Sequence, residues 1–261
     1  MAILEICCAD IESVNAAVRG GADRIELCSS LETGGLTPSP GLTEGTLWKV
    51  NLMDNPVPVN ILVRPRAGDF FYSDRELGVC VQDAAWATGA GASGIVFGAL
   101  TPEGDVDEDA CRRIIDAVEK SATGRHHPSL TFHRAFDYCR DPFEALDTII
   151  RLGFDRILTS GLSSTALEGA ELIARLCKKS AGRIIIMPGG GVTVANIAGI
   201  MRLTGATEIH ASAKTFISSK MKFRRNDIPL GPDDSNPWVM PVTSRKTVEE
   251  LKKALEKDNT N

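Results

Sequence analysis

A short pattern that returns four times constrains this chain more than any other feature. A glycine, a two-residue step ending in a polar or small side chain, and then an apolar strand appear as Gly21-Ala22-Asp23-Arg24-Ile25, Gly91-Ala92-Ser93-Gly94-Ile95, Gly153-Phe154-Asp155-Arg156-Ile157 and Gly205-Ala206-Thr207-Glu208-Ile209. Each copy follows a helix-like stretch and opens a strand, so the glycine reads as a helix C-terminal cap in the left-handed region. The copies leave room for one further strand and two helices in each interval. Two β/α units per repeat predict eight units.

The odd strands fall where that scheme needs them, at Ile3 to Cys7, Val59 to Val63, Ser129 to Phe132 and Arg183 to Met187. All are short and apolar, as parallel strands covered on both faces should be. Helices are expected after Asp10, from Asp74 to Thr88, from Asp107 to Ser121, and from Asp141-Pro142, where proline suits the first turn. Strand alternating with helix argues for a parallel sheet. Regular eightfold repetition favours closure over an open doubly wound sheet, the structural rival. The expected fold is α/β, a single (β/α)8 TIM-type barrel occupying residues 1–261, and such barrels commonly run to about 250 residues. Ser29 to Gly41 reads as an ordered loop above the second strand. A long loop or arm is expected at about 215–243, rich in proline, before a C-terminal helix that closes the ring.

The formal charge of −5 and pI of about 5.5 disfavour a nucleic-acid or anionic-membrane partner, since either needs a clustered positive field. The one basic cluster, Lys220, Lys222, Arg224 and Arg225, is followed by Asp227 and reads as a solvated loop. The sequence opens without a secretory signal and contains no membrane-length apolar run. Seven scattered cysteines do not form a disulfide framework, which points to a reducing cytosol.

In such barrels the carboxyl ends of the strands carry chemistry and the amino ends serve stability. Leu4-Glu5-Ile6-Cys7 and Ile25-Glu26-Leu27-Cys28 end the first two strands with the same order of residue types. Side chains alternate along a strand, so with the aliphatics outward both carboxylates and both thiols enter the barrel. Adjacent strands of matching length would set Cys7 and Cys28 close together, a soft pair suited to Cu(I). The plain alternative is two small buried cysteines without chemical consequence. Neither belongs to a Cys-x-x-Cys zinc pattern.

Further groups end other strands: Arg64 the third, His133 the fifth, and Glu208 with His210 the eighth. Glu26, Arg64, His133 and His210 are the candidate catalytic set, with a histidine as acid or base and Arg64 as an anion clamp. A structural ion-pair network plugging the barrel is the competing account. After the seventh strand Gly189, Gly190 and Gly191, with Ser212 after the eighth, stand where barrels often bind phosphate. A tight turn would also demand glycine. His126 and His127 precede the fifth strand and read as surface.

The blocks Gly20 to Cys28, Arg64-Pro65-Arg66-Ala67-Gly68-Asp69-Phe70, Phe132-His133-Arg134-Ala135-Phe136-Asp137, Leu158-Thr159-Ser160-Gly161 and Met187-Pro188-Gly189-Gly190-Gly191 resemble the CutC copper-homeostasis family, especially its animal members. The likeness runs from about Leu4 to Arg224. It implies a β/α barrel, self-association as a dimer or tetramer, residence in the cytoplasm and also the nucleus, and a role in copper handling. In animal members that role is attached to two cysteines that match Cys7 and Cys28. Two functions follow as expectations. One is a cytosolic protein binding Cu(I) through Cys7 and Cys28; the other is a barrel enzyme acting on a small anionic or phosphorylated metabolite.

Overall fold

The structure is a computed structural model that describes residues 2–123, 127–225, 227 and 236–258. Eight parallel strands are β1 (Ile3–Cys8), β2 (Arg24–Leu27), β3 (Val59–Leu62), β4 (Gly94–Phe97), β5 (Ser129–Phe132), β6 (Arg156–Thr159), β7 (Ile185–Pro188) and β8 (Glu208–Ala211). Their order runs β7-β6-β5-β4-β3-β2-β1-β8, and β7 meets β8 to close the ring. Eight helices complete the units: α1 (Ile11–Arg19), α2 (Pro40–Asn51), α3 (Asp74–Gly89), α4 (Glu108–Ser121), α5 (Pro142–Leu152), α6 (Ala170–Ser180), α7 (Ile197–Thr204) and α8 (Arg245–Asp258). The fold is the (β/α)8 barrel that the repeat predicts.

Local chemistry accounts for the helix starts. Asp10 accepts from the Ser13 amide at 2.8 Å, Asp107 from Ala110 at 2.9 Å, and Asp141 from Phe143 at 2.7 Å. These are side-chain acceptors for otherwise orphaned first-turn N–H groups. Helix α3 begins at Asp74, as expected, and its cap is Ser73, which forms a reciprocal capping box with Glu76. The four repeat glycines all have positive φ, 92°, 96°, 85° and 67°. Gly153 and Gly205 are themselves the C-terminal caps of α5 and α7, whereas Gly21 and Gly91 stand one residue beyond theirs.

The repeat also has a purpose across strands. Asp23 accepts from the Leu4 amide at 2.7 Å, Ser93 from Val59 at 3.1 Å, and Asp155 from Leu130 at 2.7 Å. At the fourth copy the Thr207 carbonyl takes the Ile3 amide at 3.0 Å. In the first three copies the polar side chain that precedes the even strand thus satisfies an early N–H group of the odd strand before it, whereas at the fourth a backbone carbonyl serves β1, the strand that follows β8 in the ring.

Side chains alternate as expected. Leu4, Ile6 and Cys8 of β1, Ile25 and Leu27 of β2, and Ile157 of β6 pack outward into one continuous core with the helices. Helix α8 docks through Val248, Leu251 and Leu255 onto the ring beside α1. A Cβ at Gly20 would stand 2.6 Å from Val248 Cβ, so glycine permits that approach. Between β8 and α8 the arm contains an antiparallel pair, β9 (Lys214–Ser218) and β10 (Val239–Thr243), with Phe216 and Met240 exposed. The basic cluster lies on exposed backbone, Arg225 pairing with Asp227 at 3.0 Å. His126 lies outside the described residues, as does much of the arm's middle. No helix among the described residues is long and apolar enough to cross a membrane.

Candidate functional site at the barrel mouth

The barrel interior is charged, and its charges are paired. Arg24 Nε donates to Glu5 Oε2 at 2.5 Å and Arg24 Nη2 to Glu208 Oε2 at 2.5 Å, while Arg156 Nε reaches the same Glu208 oxygen at 2.8 Å. Arg24 also donates to Met187 Sδ at 3.3 Å. All of these groups are buried or nearly so, and a buried ion is tolerable only with such partners. An ion-pair network of the kind that competes with an active site as the account of these charges therefore exists in the barrel. Its cations are Arg24 and Arg156, neither of which was singled out from the sequence. The missed signal was in the repeat, where both follow aspartate and precede isoleucine.

One layer up, strand register assembles the next group. Glu5 is paired with His210 across β1 and β8, and Cys7 with Glu26 across β1 and β2. His210 Nδ1 lies 2.8 Å from Glu5 Oε1, and its Nε2 lies 3.9 Å from Glu26 Oε2. Donor atoms of Cys7, Glu26 and His210 all fall within 4.8 Å of one another. Burial opposes ionisation of Glu5, but the His210 hydrogen bond and the Arg24 charge outweigh it and hold its carboxyl down at about 2. Burial pushes Glu26 up to about 7, with Glu5 adding to the rise. For His210, burial disfavours the cation, yet Cys7, Glu26 and Glu5 together raise it well above the ordinary imidazole value.

Cys28 lies two residues beyond Glu26 and lines the same cavity as Cys7. Register therefore gives Cys7 a carboxylate as its direct neighbour on β2, where matched strand ends had suggested a thiol. Cys28 packs with Leu62 and Val96, and its Sγ lies 3.5 Å from the Cys8 carbonyl oxygen. Burial, and then the nearby Cys7 and Glu26, push its thiol far up. Cys8 faces outward, with Sγ 3.8 Å from Thr243 Oγ1.

Above these groups opens a cavity of about 1050 Å³. Glu26, Arg64, His133, His210 and Ser212 all line it, as do Gly190 and Gly191. Arg64 gives its Nη atoms to the carbonyls of Thr33, Gly35 and Gly68 at 2.9, 3.0 and 2.8 Å, and lies over the Phe70 ring. That guanidinium ties the loops after β2 and β3 together. His133 Nδ1 accepts from the Ala135 amide at 3.1 Å, and Nε2 is buried without a partner among the described residues. Burial, reinforced by the Arg64 charge, lowers its pKa to about 3. The cavity thus holds two histidines shifted in opposite directions, His210 upward and His133 downward.

The triple glycine has packing reasons of its own. A Cβ at Gly189 would lie 2.5 Å from Leu158 Cδ1 and 3.2 Å from His210 Cβ, and one at Gly191 would lie 2.7 Å from Thr165. Gly190 and Gly191 have φ of 99° and 68°, where other residues are strained. Asp137 is a further organiser missed in the sequence. It accepts from Thr159 Oγ1 at 2.5 Å and from the Ser160 and Leu162 amides at 2.9 and 3.3 Å, and takes Arg134 Nε at 2.7 Å.

The model of the CutC family matches residues 2–215, which include every strand of the barrel. The chain belongs to the CutC family. A human relative named copper homeostasis protein cutC homolog is 47% identical over 229 residues, covering 88% of this chain and 80% of the relative. A CutC family protein of Vibrio cholerae is 44% identical over 252 residues, covering 97% and 95%. A crystal structure of CutC from Streptococcus agalactiae superposes with a TM-score of 0.74 at 31% identity, covering 80% of this chain and 98% of that one. Phosphoribosylanthranilate isomerase from Thermotoga maritima superposes at 0.58 with 12% identity, covering 98% and 100%, a likeness of barrel architecture alone. The CutC match ends at Thr215, so β10 and α8 lie beyond it.

Proposed function

We propose that this copper-homeostasis family member binds Cu(I) at the inner end of the mouth cavity, with thiolates of Cys7 and Cys28 at the ends of β1 and β2 as its soft ligands. The observation that carries this reading is the convergence of Cys7, Glu26 and His210 donor atoms within 4.8 Å, with Cys28 lining the same cavity. Soft sulfur with imidazole suits Cu(I) better than the hard cations that want oxygen. Binding would displace protons from the thiols and from His210, so affinity should rise with pH. Following the family likeness, we place the protein in the cytosol and also the nucleus, as a homo-oligomer of two or four chains.

Competition against a Cu(I) chelator tests the site. Cys7→Ser combined with Cys28→Ser should abolish stoichiometric binding, and His210→Gln should weaken it by about tenfold or more. Unchanged copper affinity in the double cysteine variant would reject the site.

A second reading rests on the size of the cavity. About 1050 Å³ is the space of a small-molecule pocket and far more than one ion fills. It would make the protein an enzyme acting on a small anionic metabolite, with Glu26 and His210 on one wall and neutral His133 on another. A thermal-shift screen over charged and uncharged metabolites tests it, and no stabilising ligand in the whole set would sink it.

A further inference from the structure

Two residues that line the mouth cavity carry polar groups with unused donor capacity. The first is Arg134, at the end of β5. Its Nε is held by Asp137 at 2.7 Å and one Nη2 hydrogen by Ser160 Oγ at 2.9 Å, so the guanidinium plane is fixed. Nη1 has no partner among the described residues and lies over Gly190, where a Cβ would stand 3.4 Å from it. Only a residue without a side chain leaves that space open. The second group is His133 Nε2. His133 is 4% exposed, lines the cavity, and has no partner at Nε2 among the described residues. Because the Ala135 amide donates to Nδ1, the ring proton belongs on Nε2, which makes that nitrogen a donor.

A buried donor left unsatisfied costs about 1–3 kcal/mol, and an oriented guanidinium edge is the preferred partner of a planar or tetrahedral oxyanion. We infer that Arg134 Nη1, His133 Nε2–H and the open backbone at Gly190 form an oxyanion subsite for the carboxylate or phosphate of a small-molecule ligand. The inference rests on the second reading above and sharpens it. It assigns the anion to Arg134, replacing Arg64, whose Nη donors already serve three carbonyls. It also sets the anion apart from Cys7, Glu26 and His210, so one end of the ligand would be anchored while the rest reaches the reactive groups.

Titration calorimetry with inorganic phosphate and with acetate, at fixed ionic strength, tests the subsite on the full chain. The expected result is saturable binding of at least one of them, one per chain, weakened about tenfold or more by Arg134→Gln. The preferred anion separates a phosphate from a carboxylate ligand. His133→Asn provides an independent arm, since the Asn side-chain oxygen can still accept from Ala135 while the buried donor disappears; it too should weaken binding. Arg112→Gln, on the exposed face of α4, should bind as the parent does. Where Arg134→Gln does not unfold cooperatively, His133→Asn decides alone. Absence of saturable binding for both anions, or binding indifferent to the substitutions, overturns the subsite. The wider metabolite reading would fall separately, on a screen in which uncharged compounds also fail.

Discussion

His210 Nδ1 sits 2.8 Å from Glu5 Oε1 because β1 and β8 are paired in a register that sets those two residues side by side. The other Glu5 oxygen receives Arg24, so one carboxylate joins the barrel's ion network to the thiol layer above it. Glu5→Gln removes the charge from both contacts and leaves buried cations less compensated. A loss of about 3–5 kcal/mol is expected. Pairing it with Arg24→Met should cost clearly less than the two single losses added, because the double variant removes opposite charges together. Chemical denaturation of the four proteins checks both statements; strict additivity would show the network to be a set of independent contacts.

His133 gives the fold an acid sensitivity with a definite window. Its folded-state pKa of about 3 lies below the ordinary value of 6.5, so the native state resists a proton that the unfolded chain accepts. Stability from this group is therefore fully present above about 6.5 and is lost as pH falls toward 3. The loss should approach about 1.4 kcal/mol per pH unit within that window. His133→Asn should flatten the wild-type profile by about that slope between pH 6 and 4. Parallel curves for the two proteins would contradict the assignment.

Asp137 organises the turn after β6 by accepting from a hydroxyl and two amides while fixing Arg134. Asp137→Ala would orphan those donors beside the cavity. We expect a loss of about 2 kcal/mol or more. Hydrogen exchange should show reduced protection at the Ser160 and Leu162 amides specifically. Loss spread evenly over the barrel would argue against a local role.

Where sequence succeeded and failed at this mouth follows from what each inference depends on. Alternation alone puts Glu5, Cys7, Glu26 and Cys28 inside, because facing depends only on parity along each strand. Which of them meet depends on register between strands, and register placed Glu26 beside Cys7 and His210 beside Glu5. Arg64 was misleading for a related reason. Its position at a strand end was legible, but the three carbonyls that occupy it come from separate loops whose backbone course no local pattern encodes. The glycine turn was visible as a motif, while its packing against Leu158, His210 and Thr165 was not.

The repeat that builds the barrel also ties its two ends together. Asp23 and Asp155 occupy equivalent places, and each accepts the second N–H of the preceding odd strand at 2.7 Å. Among the described residues, Asp23 alone of the two has a further partner, Lys252 Nζ of α8, at 2.6 Å. Helix α8 closes the ring next to α1, so this contact ties the last unit to the first. Asp155→Ala should cost about 1–2 kcal/mol for its strand hydrogen bond. Asp23→Ala should cost more, because it also releases a largely buried ammonium. Lys252→Met removes the ammonium while keeping most of the side chain's apolar stem, and should recover part of the difference when combined with Asp23→Ala. Urea denaturation of these variants measures the order directly. Equal costs for Asp23→Ala and Asp155→Ala would mean that the α8 contact adds nothing to the strand-opening hydrogen bond the two copies share.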